Sequence, residues 1–302
     1  MMKKLMVTVL AGAMMMTMAP APTTQANSTK IVRADMPLEV LYNARKIVFD
    51  VKPKMVNGTV LVPIRFVSDK LGGQLTVNGK DITIVKGNRT LKLTMNSRAA
   101  SFNGTAVTLN QPAMVERGRT LVPLRAVSEG LGTPVEWDGV NQFVWIGHKE
   151  IPDIADAVPA EDFKPYLHYY KGFEHHASKR GETIANAHVI KDSDLPIKIR
   201  NYNIYRLDLA YDNKGDQYLR FSTTFLGTIG MPVFVLEKGN FEIRQEGSFL
   251  RDTFDNDVRV RYVSISALAY AKQKKVDLKK VDFFAVPRDL DNAVLFKNKW
   301  RS

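Results

Sequence analysis

Residues 58–72 read GTVLVPIRFVSDKLG, and residues 118–132 read GRTLVPLRAVSEGLG. The two stretches share most of their apolar positions at a constant offset of 60 residues. The similarity extends outward, because Val77-Asn78 follows the first stretch where Trp137-Asp138 follows the second. Agreement over two full units indicates an internal duplication, and this is the strongest signal in the chain.

The sequence of one repeat unit predicts a strand, a helix and further strands. Leu121-Val122 is a short apolar strand end, and Pro123 suits the first helical position, where its missing N–H costs nothing. Gly132 is placed to adopt the left-handed conformation that ends a helix. Between these two signals, apolar residues at i, i+3 and i+7 share one helical face: Leu124, Val127 and Leu131.

Glycine-containing dipeptides predict the turns of the flanking hairpins. Asp138-Gly139 joins strands at 135–137 and 143–146, Asn103-Gly104 joins strands on either side of it, and Asn78-Gly79 repeats the signal in the first copy. We therefore predict an α+β fold: a duplicated β-hairpin/helix/β-hairpin module, followed by a β-rich, mainly antiparallel domain with one or two helices.

Residues 119–138, RTLVPLRAVSEGLGTPVEWD, resemble the signature of the copper amine oxidase N-terminal-like (stalk) domain, which is common in exported proteins of Gram-positive spore-formers. The resemblance covers about residues 36–148, although the first copy has Asn78 where the second has Asp138. It implies a small antiparallel sheet packed on helices and a role as a stalk or attachment module. The motif residues that it marks as structural are Pro63, Arg65, Gly72, Pro123, Arg125, Gly132, Trp137 and Asp138.

The family name does not imply oxidase activity. Family oxidases build a quinone cofactor from the Tyr of an Asn-Tyr-Asp/Glu motif and hold copper with histidines that include a His-x-His pair. This chain has Asn201-Tyr202-Asn203 and no His-x-His among its five histidines. We expect no catalysis, no cofactor and no metal.

Residues 1–26 are predicted to be a secretory signal. Lys3 and Lys4 supply the charged start, residues 5–18 an apolar run, and Thr24-Gln25-Ala26 the cleavage site. We therefore expect a secreted or cell-envelope location and no transmembrane segment in the mature chain. The chain has no cysteine, which excludes disulfides and thiol chemistry.

The chain is basic, with a formal net charge of +12. Residues 27–150 carry 17 basic against 10 acidic side chains. Such a protein is attracted to anionic extracellular polymers, for example wall teichoic acids. Because no nucleic-acid motif is present, we expect no nucleic-acid partner.

Two pairs of side chains in the repeat allow alternative interpretations. Arg65 and Arg125 lie in the first turn of a helix, where the macrodipole disfavours a cation. We expect a compensating salt bridge, for example to Asp138, and the alternative is a ligand-binding arginine. Trp137 and Trp145 are either core residues or an exposed platform on which a sugar ring stacks. Strand alternation places Trp145 on the face of Phe143, and we expect the core.

The second half resembles no family that we recognise. Residues 149–186 are predicted to be a linker with a short helix around 166–179, and residues 187–302 a β-rich domain. Alternation over 205–211 and 219–225, with the turn 212–216 between them, predicts a hairpin with one buried face and Arg206 and Asp208 on the other. Further strands are expected at 232–237, 241–245, 258–264, 281–286 and 293–297, with a helix at 264–275.

Candidate chemistry in this half is sparse. His168, His175 and His176 lie close in sequence, but neighbouring helical positions face opposite ways, so we expect solvated histidines rather than a metal site. The acidic turns 212–216 and 252–257 lack EF-hand spacing, and we expect ordinary turns. A basic run forms a candidate polyanion-binding face: Lys272, Lys274, Lys275, Lys279 and Lys280.

These features favour a non-catalytic exported protein in which the stalk-like module carries a β-rich binding domain. The expected partner is a cell-wall or other anionic extracellular polymer, or an envelope protein. One alternative is a secreted hydrolase acting on cell wall or polysaccharide. Another is a structural component of the spore or surface layer.

Overall fold

The computed structural model describes residues 29–225, 233–244, 246–253, 258–266, 273–289 and 291–301. The predicted signal peptide and most of the helix predicted at 264–275 lie outside these ranges. The chain is β-rich, its sheets are mainly antiparallel and its helices are short. At this level of detail the structure agrees with the predicted fold class. In the described part of the chain, no helix is both long enough and apolar enough to cross a membrane.

The first unit follows strand β1 (Ile31–Ala34) and occupies residues 36–146. Its elements are β2 (Glu39–Tyr42), β3 (Arg45–Lys46), β4 (Lys54–Val56), β5 (Thr59–Pro63), α1 (Ile64–Leu71), β6 (Gln74–Asn78), β7 (Asp81–Lys86), β8 (Arg89–Thr94), β9 (Ala99–Phe102), β10 (Thr105–Thr108), β11 (Met114–Glu116), β12 (Arg119–Pro123), α2 (Leu124–Gly130), β13 (Val135–Asp138) and β14 (Phe143–Ile146).

These strands form small sheets around a shared apolar core. The sheet orders are β10-β9-β8-β7-β6, β11-β12-β5-β4 and β13-β14-β2-β3, and the β14–β2 pair is parallel. The strands β5 and β12 carry the two similar stretches and pair antiparallel with Val62 opposite Val122. Because these residues are equivalent in the two stretches, their pair lies at the centre of the contact. The helices α1 and α2 pack beside it, with Ile64 and Leu124 in the common core.

The second helix ends as its sequence demands, but starts one residue later than predicted. Pro123 is the last residue of β12 and the N-cap, with φ of −59° and ψ of 111°, so helix geometry begins at Leu124. At the other end Gly132 has φ of +79°. The Gly132 N–H donates to the Glu129 carbonyl over 2.9 Å, and the Thr133 N–H donates to the Ser128 carbonyl over 2.8 Å. This pair of bonds is a Schellman motif.

The second unit contains two large sheets and short helical turns within the described ranges. Its elements are α3 (Ile154–Ala157), β15 (Glu161–Asp162), 3₁₀ helices at Lys164–Tyr170, Glu174–Ala177 and Asp192–Asp194, β16 (Ser178–Lys179), β17 (Glu182–Thr183), β18 (Asn186–Ile190), β19 (Ile197–Ile199), β20 (Tyr202–Asp212), β21 (Gln217–Thr223), β22 (Val233–Glu237), β23 (Asn240–Arg244), β24 (Glu246–Thr253), β25 (Arg259–Ser264), β26 (Val281–Asp289) and β27 (Asn292–Lys297).

The two large sheets form a sandwich. One has the order β1-β20-β21-β25-β24 with β19 beside β20, and the other has the order β15-β18-β27-β26-β22-β23. Leu207 and Phe221 from the first sheet meet Val235 and Phe284 from the second in the largest core cluster. The predicted strands at 232–237, 241–245, 258–264, 281–286 and 293–297 are confirmed to within a few residues.

The segment 149–186, predicted as a linker, covers the outer face of the second sheet. Phe163, Tyr170 and Ala177 are buried there against Phe234 and Phe241. The helix predicted around 166–179 is a pair of short 3₁₀ turns. This segment is therefore part of the packed second unit.

The outer face of the first sheet is covered by the first unit, and here the sequence prediction was wrong. The hairpin β20–β21 forms as predicted, but it is buried on both faces. Arg206 and Asp208, which we expected to face solvent, are 1% and 0% exposed. Strand alternation could not reveal this, because the covering layer comes from a distant part of the chain.

The buried charges on this face join the two units. The Arg206 guanidinium forms two parallel bonds to the Asp208 carboxylate, Nε to Oδ2 over 2.5 Å and Nη2 to Oδ1 over 3.0 Å. Its Nη1 donates to the carbonyls of Asn141 and Pro37 in the first unit. The Arg220 Nη2 donates to the Val140 carbonyl over 2.9 Å. The second unit therefore holds the β13–β14 turn and the entry to β2 through charge-assisted bonds.

A second, less buried set of charges extends the contact. Lys46 lies 2.9 Å from the Glu39 carboxylate and 3.1 Å from Asp192 in the second unit. Lys299 lies 2.7 Å from Asp192 and 3.4 Å from Asp208. Asp192 thus connects β3, near the start of the chain, to the chain's last residues.

Replacing Arg206 with Met tests the buried pair. The change leaves Asp208 buried without its bidentate partner, so we expect the free energy of unfolding to fall by about 3–5 kcal/mol. The matched control is Arg125→Met, which removes a solvent-exposed pair with Glu129 and should cost less than about 1 kcal/mol. Chemical denaturation of the two variants measures both. Equal losses would contradict a special role for Arg206.

Acid should weaken the contact through Asp192. Burial opposes ionisation of this carboxyl, but Lys46 and Lys299 outweigh it and hold its pKa below the ordinary value. A carboxyl with a lowered pKa stabilises the fold above its unfolded-state pKa of about 3.9, and that stabilisation is lost as the pH falls below it. We therefore expect the stability of the parent to fall more steeply below about pH 4 than that of Asp192→Asn. Parallel slopes in denaturation curves recorded across this range would contradict the assignment.

Candidate functional site

A large cleft lies where the two units meet. It has a volume of about 990 Å³, at the upper end of the range of about 300–1,000 Å³ for ligand sites. One wall is the β13–β14 hairpin, a second wall is the β19–β20 turn with the start of β20, and the connection after β14 completes the lining. Its lining includes aromatic, amide and charged residues: Trp137, Trp145, Tyr205, Asn201, Asn203, Glu136, Asp138, Glu150, Lys149 and Lys198.

The hairpin wall is fixed by its own turn. The Asp138 carboxylate accepts bonds from the Asn141 backbone N–H over 2.9 Å and from the Asn141 side-chain amide over 2.8 Å. The Asn141 carbonyl in turn accepts from Arg206. The turn that follows Trp137 is therefore tied to the buried Arg206–Asp208 pair.

The two tryptophans of the hairpin differ in exposure. Trp145 is opposite Glu136 in the strand register and packs edge-on against Phe143 in a small core cluster. Trp137 is opposite Val144, on the other face of the strand pair, and is 37% exposed. The expected alternation of Phe143 and Trp145 against Val144 is confirmed, because Val144 belongs to the main core of the first unit. The expectation of a core position therefore holds for Trp145 and not for Trp137, which is partly exposed.

The wall formed by the β19–β20 turn and the start of β20 is shaped by an irregularity in β20. The register of β20 against β21 shifts between Ile204 and Arg206, so Tyr205 is an additional residue in that strand. Such a bulge redirects a side chain. Ile204 packs into the sandwich core, whereas Tyr205 packs beside Phe143 and borders the cleft. We had expected Tyr205 to share the face of Leu207, and the bulge is the reason that it does not.

Three hydrogen bonds hold the backbone of Asn203, which lies beside Tyr205. Its N–H donates to the Thr224 hydroxyl over 2.8 Å, and its carbonyl accepts from the Thr223 hydroxyl and from the Thr224 N–H. Its amide reaches the Tyr205 hydroxyl at 3.5 Å. Burial raises the pKa of Tyr205, and the nearby Asp138 charge raises it further, so the phenol keeps its proton at neutral pH. The cleft thus presents ordered hydrogen-bonding groups.

The remaining motif residues of the repeat have structural positions. The Arg125 Nε lies 3.6 Å from Glu129, one helical turn away, and both side chains are more than half exposed. The compensating carboxylate is thus Glu129 rather than Asp138, which is occupied by Asn141. Gly72 has a positive φ of +73° after α1, equivalent to that of Gly132. Pro63 ends β5 opposite Leu121.

Four of the five lysines of the predicted basic face lie within the described residues. Lys274, Lys275, Lys279 and Lys280 are exposed, and Lys280 lies 4.0 Å from Asp277. Lys272 lies outside the described residues. The backbone of this segment is anchored, because the Lys274 carbonyl accepts a bond from the buried Arg244.

The histidines and the acidic turn have local partners. The rings of His175 and His176 are in contact at a tilt of 43°. Burial lowers the pKa of His176, and the His175 charge adds to the effect. The Asp212 carboxylate accepts bonds from the Lys214 and Asp216 N–H groups and from the Tyr218 hydroxyl, which makes the turn a hydrogen-bonded one. Among the described residues, no group of three acidic or histidine side chains has the geometry to hold a metal ion. The side chains of the turn at 252–257 lie outside the described part.

Sequence reasoning found one wall of the cleft and missed the other. Trp137 and Asp138 were identified through the repeat, whereas Asn203 and Tyr205 were not. The sequence signal for this wall was the pair of amides at 201 and 203. They flank the buried Tyr202, so strand alternation places their side chains on the face opposite to that of Tyr202.

Comparison with known proteins bears on the first unit. The chain has no match among curated proteins. Residues 41–146 match the family described as the copper amine oxidase N-terminal domain. The boundaries agree with the resemblance over about residues 36–148, which is therefore confirmed. Residues 41–146 of this chain form a copper amine oxidase N-terminal-like domain.

Proposed function

We propose that this protein is an exported, non-catalytic cell-envelope protein that binds an extracellular wall component in the cleft between its two units. The copper amine oxidase N-terminal-like domain would serve as the stalk or attachment module and also supply one wall of the site. The observation that carries the proposal is the cleft itself, which is lined by residues of both packed units and includes the ordered amide of Asn203 and the phenol of Tyr205.

Two of the three carboxylates that line the cleft are engaged in structural contacts, which favours binding over catalysis. General acid–base chemistry needs carboxyl groups that can exchange protons with a substrate. Asp138 is occupied by two bonds from Asn141, and Glu136 pairs with Lys149. These two groups support the hairpin wall. Release of new reducing ends from wall polysaccharide during incubation would replace this proposal with the hydrolase alternative.

Co-sedimentation with isolated Gram-positive cell walls tests the proposal. Trp137→Ala removes the exposed ring from the cleft lining. We expect this variant to bind walls roughly tenfold more weakly than the parent, measured as the bound fraction at subsaturating wall concentration. Val77→Ala is the matched control, because Val77 is the equivalent residue of the first repeat and is 50% exposed. The proposal is wrong if the parent does not sediment with walls, or if both variants sediment as the parent does. Point variants are preferable to deletion of the first unit, which would expose Arg206 and Asp208.

The basic face should contribute a separate, salt-dependent attraction. Reversal of Lys274, Lys275, Lys279 and Lys280 to Glu converts a cationic surface into an anionic one, which anionic wall polymers repel. We expect the variant to sediment less with walls at low ionic strength and to approach the parent at high salt. Sedimentation equal to that of the parent at low salt would remove the polyanion-binding role from this face.

A further inference from the structure

A smaller pocket is lined by residues of the first unit alone. It has a volume of about 330 Å³, at the lower end of the range of about 300–1,000 Å³ for ligand sites. The β4–β5 hairpin, the β13–β14 hairpin and the start of α2 surround it. Its apolar side chains are Met55, Val60, Leu124, Val135, Trp137 and Val144. Its polar residues are Thr59, Asn110 and Arg125.

The pocket is an opening into the main core of the first unit. Met55 is opposite Val60 in the β4–β5 pair, and Trp137 is opposite Val144 in the β13–β14 pair. The two valines pack with the core, whereas Met55 is 47% exposed and Trp137 is 37% exposed. An apolar side chain inserted between these two exposed residues would remove apolar surface from water on both sides, which is favourable.

The two halves of the duplication differ at this pocket. At the offset of 60 residues, Thr59 and Asn110 correspond to Arg119 and Asp50. The Arg119 Nε lies 2.6 Å from the Asp50 carboxylate, so an ion pair joins these positions in one half. In the other half the equivalent side chains are uncharged and line a cavity. The lining of the pocket is therefore not a simple consequence of the repeated fold.

The strand β13, which borders the pocket, is an edge strand among the strands that the structure describes. The Gly147 N–H donates to the Pro134 carbonyl over 3.2 Å, and the Ile146 carbonyl accepts a bond from the β2 side instead. Bonded and non-bonded pairs alternate along antiparallel strands. The backbone N–H and C=O groups of Val135 and Trp137 therefore point away from β14, toward the open edge.

Val135 and Trp137 thus offer main-chain groups at the edge and side chains in the pocket. A peptide strand paired with β13 places the residues opposite these two on the pocket face, because paired residues point to the same side of a sheet. The peptide residue between them lies on the other face, beside Glu136 and its partner Lys149. In strand addition of this kind, main-chain bonds supply affinity and the pocket selects a side chain.

The charge of the first unit favours an acidic peptide. Residues 27–150 carry 17 basic against 10 acidic side chains. Among the residues that line the pocket, Arg125 is the charged one. Its Nε lies 3.6 Å from Glu129, and both side chains are more than half exposed, so this pair is weak. A carboxylate on the pocket face of the peptide is therefore attracted by Arg125 and by the unit as a whole.

A second copy of the chain fits this edge less well. Antiparallel pairing of two β13 strands that uses both Val135 and Trp137 places Glu136 directly opposite Glu136 of the other copy. Like charges in that arrangement destabilise a strand pair. The edge therefore favours a different chain.

We propose that β13 and this pocket bind an extended segment of another protein as an added strand. The segment inserts a large apolar side chain between Met55 and Trp137 and presents an acidic side chain to Arg125. This goes beyond the proposed function, because it assigns a protein ligand to a site that the copper amine oxidase N-terminal-like domain forms alone. Met55 lines this pocket and does not line the cleft, so it separates the two sites.

Selection from a library of random heptapeptides displayed on phage, with the full chain as bait, tests the ligand class. We expect the selected sequences to share a large apolar residue with Asp or Glu two positions away. A synthetic peptide of the most frequent sequence should bind the parent in calorimetric titration. Met55→Glu places a charge at the pocket and should weaken this binding roughly tenfold or more.

Val115→Glu is the matched control, because Val115 is the equivalent residue of the second repeat and is 57% exposed. It should bind the peptide as the parent does. Selection without a common sequence, or a selected peptide that binds Met55→Glu as tightly as the parent, would overturn the proposal.

N-methylation of the selected peptide, one amide at a time, tests strand addition. Alternate amides of an added strand donate to its neighbour, so methylation should cause large losses of affinity at alternate positions and small losses between them. Losses of similar size at every position would contradict an added strand.

Two further measurements separate the other occupants. Sedimentation equilibrium of the chain alone should show a monomer, and a dimer that Met55→Glu dissociates would assign the pocket to a second copy. Met55→Glu should also sediment with cell walls as the parent does. Loss of wall binding in this variant would assign the pocket to the wall component, and either result would overturn the peptide assignment.

Discussion

The bidentate pair between Arg206 and Asp208 is the interaction on which the rest of the arrangement depends. Both side chains are removed from water, and an isolated charge in that position would cost several kcal/mol. The pair is tolerated because its remaining donors reach carbonyls of the first unit, at Pro37 and Asn141. The first sheet of the sandwich therefore requires the first unit as a covering layer, and the two halves of the chain fold against each other.

The cleft follows from that contact. Arg206 holds the carbonyl of Asn141, whose amide and N–H cap Asp138 at the end of β13. The residue before Arg206 is the bulged Tyr205, which belongs to the second wall. One short segment of β20 thus anchors the hairpin and lines the cleft. A ligand that contacts both walls would meet groups whose spacing is set before binding, which lowers the ordering cost of association.

The features that sequence predicted well are those determined by local chemistry. Asn-Gly and Asp-Gly turns, a left-handed glycine after α1 and after α2, and strands of alternating polarity depend on a few neighbouring residues. The features that it missed depend on distant layers. Arg206 and Asp208 have the pattern of a solvated strand face until another unit covers them, and a bulge at Tyr205 leaves no mark in the alternation. Tyr170 was assigned to a linker because prolines and polar residues surround it, although its ring is buried.

Native-state hydrogen exchange tests the central claim, that the two units open as one body around the buried pair. The amides of β14 in the first unit and of β20 in the second should exchange through a common opening with the same free energy and the same denaturant dependence. Two distinct opening free energies, with β14 exposed while β20 stays protected, would show that the units are independent and that the cleft is not a fixed site.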